Sequence, residues 1–213
     1  MNKTTRLVLT IVLFVGIVVL AFVLYRCILK PVKFENEYNL RSEQVITKLK
    51  DIRALQEQFK NTNGRYCSSI DSLIDFAQEG KALLVKKTGY VPDNMTEAEA
   101  LAKGILKRDT STVNPLEKLY AEDKLITPKD KIKDLKYIPF SDGEEFTMAS
   151  DVIDKGGVPV PVFEAKAPIE SYTKGMDQQT VLNRKVELEQ KVNGFAGYKV
   201  GSLENTVTDG NWE

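Results

Sequence analysis

The side chains that most often do chemistry are sparse in this chain, and their spacing builds no familiar catalytic set. None of its 213 residues is histidine. That excludes Ser–His–Asp and Cys–His triads, imidazole acid–base catalysis and zinc sites built on histidine. It also removes the usual protonation switch near neutral pH. Carboxylate or lysine chemistry stays open, as in a histidine-free enzyme with paired acids, but no pattern marks a place for it. Asp71, Asp75 and Glu79 recur at i, i+4 and i+8. Such a row could collect calcium, yet no loop places enough oxygens around one point, and a solvated helix face is expected. Gly156-Gly157 has no strand–loop–helix with Lys-Ser/Thr around it, and reads as a turn, not a phosphate cradle. Asn94-Met-Thr96 fits the glycosylation sequon, which matters only in a eukaryotic secretory pathway. The run from Lys129 to Lys136 mixes charges and is no basic patch. No catalytic, cofactor or metal residue is assigned, and a non-enzymatic protein without cofactors is expected.

Two cysteines remain, Cys27 and Cys67. A helix between them carries the chain tens of ångströms, far beyond the ~7 Å that a disulfide tolerates between Cα atoms. An intramolecular bridge is therefore not expected. Cys27 is either an inert residue in an apolar collar or a site for acylation or pairing with a second copy.

Position must come from the elements, and the first of these dominates. After a stub at residues 1–6, residues 7–25 carry no charge over 19 positions. As a helix this stretch is about 29 Å long, close to the ~30 Å hydrocarbon core of a bilayer. Leu7, Phe14, Gly16 and Phe22 lie along it, and Tyr25 with Arg26 supplies the aromatic and cation of an interface. A signal peptide would have a shorter apolar core and small residues at its end, so an uncleaved single-pass anchor is expected. Lys3, Arg6 and the terminal amine before the span nearly balance Arg26, Lys30 and Lys33 after it, so charge barely decides orientation. Thirty basic and thirty acidic residues cancel over the whole chain, leaving no footprint for nucleic acid.

Residues 26–33 form a junction in which Pro31 either kinks or ends the emerging helix. Residues 34–213 are expected to fold as one α+β domain: a long amphipathic helix, about 35–61, packed on a small, mainly antiparallel sheet. The packing stripe is Tyr38, Val45, Leu49, Ile52 and Phe59, with Ser42 and Gln56 at the intervening row. One apolar row suits a helix lying on its own domain better than a free coiled coil. Asn61-Thr-Asn-Gly64 stops it.

A second helix follows from Ile70, with Ser68 or Ser69 as cap and Ile70, Leu73, Ile74 and Ala77 on one face. Leu83–Lys86 is a candidate strand. Thr96-Glu-Ala-Glu99 is a capping box opening a short helix that closes at Gly104, extended chain resumes at Ile105, and Asn114-Pro115 starts another helix. From Leu135 the texture turns to β. A hairpin is expected with Leu135–Phe140 as one arm and Glu145–Ser150 as the other. A second turn at Asp154–Gly157 leads into Val158–Phe163, whose two prolines place it at a sheet edge. A loosely periodic helix over Gln178–Val192, a strand at Tyr198–Leu203 and a tail with the sole tryptophan, Trp212, complete the chain.

The stretch from Ile46 to Tyr66, ending Asn61-Thr-Asn-Gly-Arg-Tyr66, with Ser69-Ile-Asp-Ser-Leu-Ile-Asp75 behind it, resembles type IV pilins and secretion pseudopilins. The resemblance covers about residues 7–76. It implies a membrane helix continued by an amphipathic one on a small sheet, Gly64 releasing the chain and Tyr66 covering an edge. It also implies an extracytoplasmic domain. Residues 1–6 lack the glycine of a pilin leader, and residues 7–25 lack the pilin glutamate. Val160–Pro168, Tyr198–Glu204 and Gly210–Glu213 are similar to uncharacterised single-pass membrane proteins of Bacteroidota, a resemblance that carries no activity. The expected function is a structural or assembly component of the cell envelope, meeting a protein partner or itself. The alternative is a ligand-binding or sensory ectodomain, which would need a concave pocket lined by several aromatics.

Overall fold

One helix, α1 (Lys3–Asn63, 61 residues), dominates the computed structural model, which describes residues 3–90, 95–191 and 194–213. At 1.5 Å per residue α1 is about 90 Å long. It is not interrupted at Pro31, and the expected junction at residues 26–33 is helical throughout. Proline removes one donor and strips the Cys27 carbonyl of its partner, at a cost of about 3 kcal/mol. No glycine lies between Gly16 and Gly64 to offer the chain another path, and Phe34 and Tyr38, both buried, hold the next turns in place. Gly64 ends α1 with a φ of +73° and donates its N–H to the Lys60 carbonyl at 2.7 Å.

The C-terminal half of α1 packs on a mixed domain. The chain continues through α2 (Ile70–Glu79), β1 (Ala82–Gly89), α3 (Glu97–Ala102), β2 (Leu106–Val113) and α4 (Pro115–Ala121). A 3-10 helix at Lys129–Lys136 precedes β3 (Thr147–Lys155), β4 (Val158–Pro168), α5 (Ile169–Tyr172), α6 (Gln178–Lys191) and β5 (Gly197–Gly201). β1 and β2 pair antiparallel, Ala82 opposite Val113, and β3, β4 and β5 form a separate antiparallel sheet in that order. The architecture is α+β, with a small three-stranded antiparallel sheet.

Local signals set several elements. Ser69 is the N-cap residue of α2, which buries Ile70, Leu73, Ile74 and Ala77. Thr96 and Glu99 complete a reciprocal capping box on α3. The Asn114 side chain accepts from the N–H groups of Leu116 and Glu117 ahead of Pro115 in α4. The Asn94 end of the sequon lies outside the described residues, as does Val192.

Two expectations are corrected here. Leu135–Phe140 makes no strand: Ile132 and Leu135 are buried from the 3-10 helix, and only one bridge, Tyr137 to Glu145, joins the arms. Pro139 lacks a donor and Phe140 has a φ of +62°, neither compatible with a continuing ladder. β4 is the central strand, not an edge. Its prolines are nevertheless at a local edge, because β5 pairs only with Glu164–Pro168. The Phe163 and Ala167 carbonyls point toward β5 at Gly201 and Gly197, so odd-numbered residues of β4 face that side. Pro159 and Pro161 thus delete donors from the stretch that β5 leaves open, which blunts it against foreign strands. In α6, Val181 is buried, whereas Leu182 and Val186 are exposed.

Candidate functional site

Among the described residues no catalytic cluster presents itself, and the functional geometry considered is that of α1 and what it holds. Its N-terminal part is bare. Leu7, Phe14, Phe22 and Tyr25 are each 58–66% exposed, and nothing lies within 4 Å of a side chain built on Gly16. This helix is long and apolar enough to cross a membrane, and none of its most apolar window is buried by protein. The Arg26 guanidinium sits 5.8 Å from the Phe22 ring centroid, at the end of the apolar run.

Beyond Phe34 the same helix becomes the spine of the core. Val45, Leu49 and Ile52 are fully buried and Tyr38 nearly so. Phe59 is only partly buried and meets Phe76 edge-on at 4.9 Å. Leu55, absent from the expected stripe, is fully buried. Ser42 and Gln56, the polar residues of the second row, are buried as well. Phe34, Tyr38, Tyr172, Tyr198 and Trp212 form a file of rings 5.7–6.2 Å apart, which docks the tail. Burial pushes the Tyr38 phenol up to about 12 and raises Tyr172 further. Tyr66 covers Phe163 of β4, ring centroids 4.6 Å apart.

Polar side chains of α1 clamp the loops around it. Gln56 donates to the Cys67 carbonyl at 2.7 Å and accepts from the Cys67 N–H at 2.9 Å, fixing the turn after α1. Asp51, fully buried, accepts from the N–H groups of Ile126 and Thr127 at 2.9 and 2.8 Å. Lys48 donates to the carbonyls of Asp134 and Tyr137 at 2.5 and 2.7 Å, and burial lowers its pKa. Arg41 donates to the Tyr172 and Lys174 carbonyls at 3.0 and 2.8 Å. Sequence reasoning missed these four clamps. Their signal was a polar residue on or beside an apolar row, most visible at Gln56 and Asp51.

Along the outer flank, α1 and the clamped loops enclose an open groove of about 610 Å3. Ile126, Pro128, Pro139 and Phe140 give it apolar walls, and Glu43, Lys48, Lys131 and Asp134 a mixed-charge rim. Phe140 is held there in a backbone conformation that bulky residues seldom adopt. The Ser141 hydroxyl beside it donates to the Ile138 carbonyl at 2.6 Å and accepts from the Glu144 N–H at 3.0 Å. The Arg41 guanidinium lies 4.8 Å from the Phe140 ring centroid. The groove offers contact area, with one aromatic and no nucleophile–base pair.

The remaining candidates are dispersed. Among the described residues no group of three or more His, Cys, Asp or Glu gathers as a metal site. Asp71, Asp75 and Glu79 are exposed, and Asp71 pairs with Lys136 at 3.0 Å. Cys27 is exposed and Cys67 buried, both free, with about 54 Å of α1 between Cys27 and Asn63. No family model matches the chain, and no curated protein or solved structure matches it.

Proposed function

We propose that this chain is a non-enzymatic, single-pass membrane protein of the cell envelope that serves as a structural or assembly component, pilin-like in build, with its domain extracytoplasmic. The observation that carries the reading is the continuity of α1. One helix is bare and apolar for its first turns and buried as the spine of a folded domain for its last ones. A flexible tether would leave a domain free to turn on the membrane. An unbroken helix instead transmits position and orientation from bilayer to domain, a property an assembly uses and a diffusing enzyme does not. The side of the membrane follows from the pilin resemblance and from nothing in the charge balance. The alternative, a ligand-binding or sensory ectodomain, draws support from the groove at Phe140, but that groove has a single aromatic.

Crosslinking in native membranes tests the assembly role. Cys27 is exposed at the end of the apolar run, so a short thiol–amine crosslinker there should trap the chain in adducts of discrete mass. The adducts should vanish with Cys27→Ser. A chain that stays monomeric at Cys27, and equally from a cysteine introduced at Lys50 on the exposed face, contradicts an assembly and leaves the ectodomain reading.

A further inference from the structure

We propose that the cleft at the membrane end of the domain seats the phosphate-bearing headgroup of an anionic lipid. The inference rests on residues 7–25 spanning the bilayer. The cleft, about 430 Å3, lies between Lys30, Pro31 and Phe34 of α1 and the segment Gly175–Thr180 that leads into α6. Its height along the helix is fixed. Lys30 and Lys33 follow Tyr25 by five and eight residues, about 7.5 and 12 Å along the axis. The headgroup layer reaches about 5–7 Å beyond the hydrocarbon. Side chains on a helix lean toward its N-terminus, which here is the membrane, and a lysine stem is long enough to bring its ammonium down to that layer.

Charge agrees with the placement. Arg26, Lys30 and Lys33 recur at i, i+4 and i+7 and share one helix face. Among the described residues neither Lys30 nor Lys33 enters an ion pair, and both are exposed. The two acids that border the cleft stay charged but have partners of their own. Glu37 holds Arg41 at 2.5 Å. Asp177 accepts from the Thr180 hydroxyl at 2.5 Å and its N–H at 3.0 Å, bonds that keep its carboxyl below the usual range, helped by Lys30. Pro31, Phe34 and Met176 add apolar surface to the cleft beside these cations.

The test uses the full chain in nanodiscs of phosphatidylcholine, alone or mixed with phosphatidylglycerol, followed by native mass spectrometry of the released protein. The wild type should retain phosphatidylglycerol in preference to phosphatidylcholine. Each lysine near a charged surface contributes about fivefold, so K30Q/K33Q should lose about thirtyfold of that preference. K30R/K33R should keep it, and K50Q, on the exposed face away from the cleft, should leave it unchanged. Equal retention of both lipids by the inserted wild type overturns the proposal, as does undiminished preference in K30Q/K33Q. Displacement by inorganic phosphate alone also overturns it, by showing a site for the free anion. A chain that never enters the nanodisc fails differently, because it removes the span itself.

Discussion

Replacing Ile52 with alanine is expected to cost about 2–5 kcal/mol of domain stability, a large part of a typical total of about 5–15. Ile52 is wholly enclosed between α1 and the domain, so truncation loses its contacts and leaves a cavity. Phe59, only partly buried, should cost less than a fully enclosed phenylalanine, which loses about 3–5 kcal/mol. Lys50→Ala and Glu57→Ala, at exposed positions of the same helix, should change stability by less than about 0.5 kcal/mol. Denaturant unfolding of the chain in mild detergent compares the four. If Ile52 proves neutral, the stripe does not serve this core and is instead a surface for a partner.

The second large effect is expected at Asp51. Its carboxylate answers two backbone N–H groups of the segment Ile126–Thr127 from within the core. Hydrogen bonds to a charged group contribute about 1.5–3 kcal/mol each, so losing both in Asp51→Ala should cost about 3–6 kcal/mol. The loss should be local as well as global. Amide exchange at Ile126 and Thr127 should accelerate well before the rest of the domain opens, because the groove wall is tied down at that point. Unchanged exchange at those two amides would show that another contact holds the segment.

What could be read from the residues divides along the range of the interactions involved. The caps of α3 and α4 are decided within four residues by the side chains of Thr96 and Asn114, whereas Ser69 marks the start of α2 without a side-chain cap bond. The apolar face of α2 is equally local. Burial of Val45, Leu49 and Ile52 followed from period alone, since a single apolar row must find a cover. Pairing is different. That β4 is central to its sheet depends on β5, about thirty residues later, and prolines confined to one half of a strand give no warning that the other half is covered. The 3-10 helix over Lys129–Lys136 hid behind its charges, because Ile132 and Leu135 are its only buried residues. Asp51 and Gln56 stand on or beside the apolar row, but their partners are backbone groups of loops, which have no residue signature. The unbroken passage through Pro31 was the least legible feature, because the local cost is outvoted by burial on one side and the absence of a stop on the other.

The central claim is that residues 7–25 cross a bilayer and pass without a break into the domain. The most direct measurement is extraction of native membranes with alkaline carbonate, followed by N-terminal sequencing of the retained chain. The expected result is a chain that stays with the membrane and still carries Leu7 and the residues up to Tyr25. Release into the soluble fraction, or a retained chain that begins after Tyr25, would contradict it.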